Sequence, residues 1–320
     1  MPGLFPTLAP YETGFLNRPD GNRIFFSLSG NPAGKPALLL HGGPGSGMSE
    51  SVRRHFDPAV WHIVQFDQRG CGRSTPSAAE FLNTLEDNTT GNLIGDIEAL
   101  RERLGVDRWL VFGSSWSVTL GLAYAQAFRE RVSAMILAGV TMTRWSEIDW
   151  LYSGMALFLP EAHARFTAAV PEALRHLHPV SAYHALLNDG DPAVRQKAAF
   201  DFHLWEAGSI SAEPQTGLPD RWRDPAFALA RARLCVHYFH NRAWLEDEQL
   251  LREAHRLAGI PGALIQRRLD LQGPPKTAFE LARAWPGSEL VLLENAGHST
   301  GDNGMADAIV KAVNRFVKVA

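Results

Sequence analysis

Short apolar runs and helically spaced apolar residues alternate along the first half of the chain. Arg23–Leu28, Ala37–Leu40, His62–Phe66, Trp109–Phe112 and Val132–Leu137 are brief apolar runs, which predicts strands. Between them, Leu93–Leu104 and Ser117–Phe128 carry apolar residues at three- and four-residue spacing, which predicts helices. In the first of these helices Asp96 and Glu98 come early and Arg101 and Arg103 late, as the helix dipole favours. From Thr143 to Leu257 the alternation stops. That stretch is rich in Trp, His, Ala and Arg at helical spacing and contains no convincing strand. Alternation resumes with Ala263–Gln266 (strand), Thr277–Ala284 (helix), Glu289–Leu293 (strand) and Met305–Val319 (helix).

Strand and helix in alternation predict an α/β fold, a mainly parallel sheet with helices on both faces. The economical division is one core, residues 1–142 and 258–320, interrupted by a helical cap, residues 143–257. An insertion at the carboxyl ends of the strands would lie over the site, because ligands of open α/β sheets bind there.

Composition narrows the function. Of 320 residues 45% are apolar, enough for a large core, and 31 basic residues stand against 34 acidic ones for a net charge of −3. The charges form no basic stripe, which argues against a nucleic-acid partner. No apolar run approaches the ~20 residues that span a bilayer, and Met1–Tyr11 lacks the basic-then-apolar pattern of a signal peptide. The two cysteines, Cys71 and Cys235, are too few for a disulfide framework and read as free thiols. The expected location is cytoplasmic, with neither membrane nor nucleic acid as partner.

The sharpest chemical signal is Gly113-Ser114-Ser115-Trp116-Ser117, at the junction of a predicted strand and a predicted helix. It occupies the frame G-x-S-x-G of a nucleophile elbow, in which a strained turn lifts the central serine out of the sheet. The frame selects Ser115 over Ser114. Ser117 departs from the frame by replacing the second glycine. A serine-rich turn without catalysis is the plainer alternative. The second signal is His41-Gly-Gly-Pro-Gly-Ser-Gly47, directly after a buried strand. Glycines there let backbone N–H groups face a cavity, so Gly43, with Trp116, is the expected oxyanion donor pair. A phosphate loop would need a following Gly-Lys-Ser/Thr, which is absent.

A general base and its acid must come from elsewhere. His298, in Glu294-Asn-Ala-Gly-His-Ser-Thr300, follows the last predicted strand, and Asp270 follows the strand before it. The chain order Ser, Asp, His is that of the triad built on this kind of sheet. Imidazole suits the role because its proton affinity lies near neutrality. Asp67 and Arg69 read as braces for neighbouring loops. His237 and His240 share a helix without an evident third ligand, so no metal is expected; His176 and His178 read as surface. Among the cap tryptophans Trp145, Trp150, Trp205 and Trp222, core packing is the default, and Trp205 is the best pocket candidate.

The combination His41-Gly-Gly-Pro-Gly, Phe66-Asp-Gln-Arg-Gly-Cys-Gly-Arg-Ser74, Asp87-Asn-Thr-Thr90, Gly113-x-Ser-Trp116 and Ala296-Gly-His-Ser299 resembles the proline iminopeptidases from about Tyr11 to the C-terminus. These are α/β-hydrolases that remove an N-terminal proline from small peptides. The resemblance implies the α/β-hydrolase fold with a helical cap, no cofactor, Ser115 as nucleophile, Asp270 and His298 as its partners, and oxyanion donors from Gly43 and Trp116. It also implies substrate contacts. Glu206, in Leu204-Trp-Glu206, matches an acidic residue that holds the free amino group of proline, with Trp205 beside it. A second acid lies in a segment resembling Arg-Ile-Glu-Asn-His-Tyr-Phe; here Arg233-Leu-Cys-Val-His-Tyr-Phe239 puts Cys235 in its place. Thr141 stands where a phenylalanine meets the pyrrolidine ring, and Gln266-Arg-Arg-Leu-Asp270 replaces His-Gly-Arg-Tyr-Asp.

The expectation is therefore a serine hydrolase acting on an N-terminal proline or similar small acyl group in a small peptide, amide or ester. Its acyl-transfer machinery is intact and its amine recognition is altered. An amidase, esterase or thioesterase with the same triad is the alternative within enzymes, and a non-catalytic ligand-binding relative of the fold is the alternative outside them.

Overall fold

Along the third strand, side chains alternate between two cores. Leu38 and Leu40 pack into the larger apolar cluster and Ala37 and Leu39 into the smaller one, so this strand is buried on both faces. The computed structural model, which describes residues 3–80, 84–210, 218–294, 298 and 304–319, repeats this pattern across a single sheet. Its strands are β1 (Glu12–Asn17), β2 (Arg23–Gly30), β3 (Lys35–Leu39), β4 (Trp61–Phe66), β5 (Trp109–Ser114), β6 (Val132–Ala138), β7 (Gly262–Arg267) and β8 (Ser288–Leu293). They lie in the order β1-β2-β4-β3-β5-β6-β7-β8. The pairs β1–β2 and β2–β4 are antiparallel and all others parallel, as the mainly parallel expectation requires.

The helices are α1 (Glu50–Arg53), α2 (Thr90–Arg103), α3 (Trp116–Ala127), α4 (Trp145–Tyr152), α5 (Pro160–Ala168), α6 (Pro179–Leu187), α7 (Pro192–Ile210), α8 (Pro225–His240), α9 (Gln249–Arg252), α10 (Pro275–Ala284) and α11 (Met305–Phe316). Local chemistry sets their starts. The Thr89 hydroxyl accepts from Asn92 N–H at the head of α2. Asp224 accepts from Phe227 N–H ahead of α8, whose first residue is Pro225. His178, expected at the surface, instead caps α6 by accepting from Val180 N–H. The face of α11 that carries Met305, Ile309, Ala312, Val313 and Phe316 closes the smaller cluster, while α2 and α3 pack in the larger one on the opposite face.

Between β6 and β7 the described residues form helices and turns and no strand. Two elements of the core were not anticipated from the sequence, the four-residue α1 and the edge strand β1. β1 is half-exposed, carries Gly14 and lies at the sheet edge, so it has no apolar run to announce it; its backbone ladder to β2 defines it.

The connections leave β3 and β5 in opposite directions, since β4 lies on one side of the pair and β6 on the other. A crevice opens where they diverge, at the carboxyl ends of the strands. The loops after β3 and β5, the segment after β7 and His298 meet there.

Candidate active site

The turn after β5 is strained. Ser115 has φ 57° and ψ −128°, a conformation that L-residues rarely adopt and that persists only when surroundings enforce it. Two contacts enforce it. A Cβ on Gly113 would lie 2.6 Å from Ser117 O, so only glycine lets α3 approach the strand. Ser117, the departure from the elbow frame, contributes an extra tie. Its Oγ accepts from Ser114 N–H at 2.7 Å and lies 2.9 Å from Ser114 O and 3.0 Å from Leu40 O, either of which can take its proton. Trp116 is the first residue of α3, and its N–H has no acceptor within the helix.

The loop after β3 presses against this elbow. A Cβ on Gly42 would lie 2.8 Å from Ser114 O and 3.5 Å from Ser115 Cβ. Gly43 has φ 120°, in the region glycine favours. His41 locks the loop from below. Gln68 N–H donates to His41 Nε2 at 3.0 Å, so Nδ1 carries the proton and donates to Gly42 O. Burial lowers the pKa of this imidazole, in keeping with a neutral ring. Gln68 then bridges the two loops, donating to His41 O and accepting from the Trp116 indole N–H. Asp67 accepts from Met48 N–H and Arg73 N–H, and Arg69 holds Asp96 through two parallel hydrogen bonds of 2.7 and 2.8 Å. His41, Asp67 and Cys71 approach one another closely, but backbone groups already fill the imidazole and the carboxylate.

His298 and Asp270 meet across the ends of β7 and β8. His298 Nδ1 lies 2.8 Å from Asp270 Oδ1 and 2.9 Å from Oδ2. The carboxylate is buried and is held by Gly273 N–H at 2.8 Å, with the Arg267 guanidinium 3.7 Å away. Arg267 Nη1 also donates to His298 O at 3.1 Å, tying the histidine to the acid's own strand. The end of β6 closes the third side: a Cβ on Gly139 would lie 3.7 Å from His298 Cε1.

Ser115, Trp116, Gly43 and His298 line one cavity of about 590 Å³, with Thr141 and Glu206 further along its wall. Two of the expected substrate residues are not among its described lining residues. Trp205 is buried in the helical core: its indole N–H donates to Leu151 O and its ring stacks on Phe166 at 5.3 Å, so packing rather than recognition accounts for it. Cys235 is wholly buried with its Sγ 3.2 Å from Pro44 O, a small side chain filling space behind the loop after β3. Burial pushes its thiol far above the usual range. Thr141 reaches the wall, but its hydroxyl donates to Glu147.

Glu206 is not a lone carboxylate. Arg231 Nη1 forms an ion pair with its Oε2 and also donates to His203 Nδ1 at 3.1 Å, while His203 Nε2 donates to Ala228 O. Burial opposes ionisation of Glu206, but the Arg231 charge outweighs it and holds the carboxyl down at about 2. Arg231 is stacked over Trp222 at 4.3 Å, and both line the cavity. The sequence carried no local signal for this pair, since α7 and α8 bring the two residues together from 25 positions apart. Gln272, which donates to Glu206 O and Ser209 Oγ, was equally invisible.

Comparison with known proteins places the fold and the family. A family described as alpha/beta hydrolase fold matches residues 35–304. The chain is 42% identical over 319 residues to a proline iminopeptidase of Xylella fastidiosa, covering 99% of this chain and 100% of that one. It is 43% identical to that of Neisseria gonorrhoeae over 95% of this chain and 96% of the other. With that of Arabidopsis thaliana it shares 40% identity over 97% of this chain and 80% of the other. Among solved structures, a bromoperoxidase of Bacillus anthracis superposes with a TM-score of 0.65 at 18% identity, over 96% of this chain and 100% of that one. The esterase RhEst1 of Rhodococcus does so at 0.59 and 18%, over 96% and 99%. Near-full-length identity above 40%, on a sheet of this order, means that the chain belongs to the proline iminopeptidase family of α/β-hydrolases.

Proposed function

We propose that the protein is a serine hydrolase that cleaves an N-terminal proline, or an acyl group of similar size, from small peptides, amides or esters. The observation that carries the proposal is the bonding of His298 Nδ1 to both oxygens of Asp270 on the wall of the cavity that also holds Ser115 at its strained turn.

Ser115 Oγ attacks the substrate carbonyl as His298 Nε2 takes its proton. Asp270 keeps the Nδ1–H tautomer and stabilises the imidazolium that forms. The N–H groups of Gly43 and Trp116 receive the developing oxyanion, at the amino end of α3 where the helix dipole favours negative charge. Collapse expels the amine or alcohol, protonated by His298, and leaves an acyl-enzyme that water hydrolyses by the same steps in reverse. The nucleophile, base and electrophilic groups are all the protein's own, so this chemistry calls for no metal or organic cofactor. The helical segment 143–257 serves as a cap that shields the acyl-enzyme from bulk water.

No helix among the described residues is long and apolar enough to cross a membrane. The two cysteines are free and buried, which suits a reducing, cytoplasmic setting with small molecules rather than nucleic acid or membrane as partners.

A fluorophosphonate probe tests the proposal. It should label Ser115 stoichiometrically and leave a Ser115→Ala variant unlabelled, with turnover of prolyl or related small acyl anilides lost in parallel. An unreactive serine in the folded protein would sink the enzymatic reading and favour a ligand-binding role.

A further inference from the structure

Four of the described cavity-lining residues carry a permanent charge: Glu147, Glu206, Arg231 and Arg267. Each carboxylate is already matched. Glu147 accepts from Thr141 Oγ1, from Met142 N–H and from the Arg144 guanidinium. Glu206 is paired with Arg231. Arg267 is committed to Asp270 and His298 O. A protonated amine entering this cavity would shed its water and find, among the described lining residues, no unmatched carboxylate, with the Arg231 guanidinium beside Glu206.

Arg231 has the opposite character. Its Nη1 makes the only two hydrogen bonds of the guanidinium among the described residues, to Glu206 and His203, and Nε makes none. The group is clamped by Trp222 on one face and by the ion pair at its edge, so its orientation is set before any ligand arrives. A preset guanidinium on a cavity wall favours an oxygen acceptor.

We propose that Arg231 is a specificity-determining residue, and that the pocket takes an acyl group bearing an oxygen acceptor where a free-amine substrate carries its ammonium. This rests on the hydrolase reading above and narrows its substrate class. The bond chemistry is the same: the acyl C–N or C–O bond breaks, water supplies the OH of the acid and the H of the amine or alcohol.

Two anilides with the same five-membered ring make the comparison. L-pyroglutamyl p-nitroanilide offers an uncharged lactam oxygen, and L-prolyl p-nitroanilide offers a ring ammonium. The wild-type protein should favour the pyroglutamyl substrate at least tenfold in kcat/KM. Arg231→Leu should lower that ratio at least tenfold by freeing Glu206, and Arg231→Lys, which keeps the charge, should retain most of it. Arg231→Gln serves if the leucine variant does not fold. A wild-type ratio below tenfold, or one favouring the prolyl substrate, overturns the proposal. Fluorophosphonate labelling separates the two readings: a labelled serine with prolyl preference defeats this inference alone, whereas an unlabelled serine defeats both. If the serine is labelled but neither anilide turns over, thermal stabilisation decides. Greater stabilisation by pyroglutamamide supports the proposal and greater stabilisation by prolinamide overturns it.

Discussion

Ser117 Oγ, on the second residue of α3, lies 3.0 Å from the carbonyl oxygen of Leu40, just past the end of β3. The hydroxyl also accepts from Ser114 N–H, so one side chain ties the elbow helix to the turn before Ser115 and to the strand that leads into the His41–Gly47 loop. A glycine at this position would leave all three backbone groups without this partner.

Ser117→Ala should therefore destabilise the protein by about 1–3 kcal/mol, the usual cost of a buried polar group left unpaired. Urea unfolding at pH 7.5 measures it. A change within about 0.5 kcal/mol, as expected of a surface substitution, would show that water replaces the hydroxyl at no cost.

Asp270→Asn should keep the fold and cut kcat by about 10⁴-fold, because the amide can donate to Nδ1 and so favours the wrong imidazole tautomer. Steady-state kinetics on any turned-over anilide reads this directly. A loss of less than about tenfold would mean that Asp270 does not orient the base in the reaction.

Arg69 is 3% exposed and forms a bidentate pair with the buried Asp96, with Asp20 and Asp87 O taking its remaining arm. Among the described residues, Arg69→Met leaves the Asp96 carboxylate with Arg18 alone as partner. The expected loss is about 3–5 kcal/mol of unfolding free energy, as for other broken buried pairs. Thermal and urea denaturation check it. A stability equal to wild type would show that the pair is dispensable.

Acid should weaken the helical segment before it reaches the carboxylates. His184 stacks on His240 at 4.3 Å and on His237 at 6.4 Å. Burial, then the neighbouring histidines and Arg233, lowers His184 from 6.5 to about 4, and burial lowers His237 from 6.5 to about 4 despite its bond to Asn88 O. Below 6.5 the unfolded chain binds protons that the folded protein refuses, so stability falls as pH drops from 6.5 to about 4. His184→Phe should flatten the Tm-against-pH curve in that window while leaving Tm above pH 7.5 nearly unchanged. A curve as steep as that of wild type would remove His184 as a source of the slope.

The strands of the core were legible because each obeys a local rule. β5 runs apolar into Gly113, and α3 begins at the elbow that the serine-rich frame marks. α11 repeats its apolar face every three or four residues. Asp270 and His298 were legible for a different reason: each follows a strand, and the parallel order of the sheet carries strand ends to one edge. β1 escaped notice because an edge strand is defined by its neighbour's backbone rather than by its own side chains.

The substrate wall was much less legible. Trp205 sits beside Glu206 in sequence, yet successive helical residues point in different directions, and the indole turns into the core while the carboxylate meets the cavity. Cys235 packs behind the wall for the same reason. From local patterns alone the chain specifies its elements, its elbow and the order of its triad candidates, since these depend on near neighbours and on a repeating backbone. Only the tertiary structure decides that Glu206 is neutralised by Arg231, because charge pairing across α7 and α8 depends on how two helices pack, and no spacing along the chain encodes it.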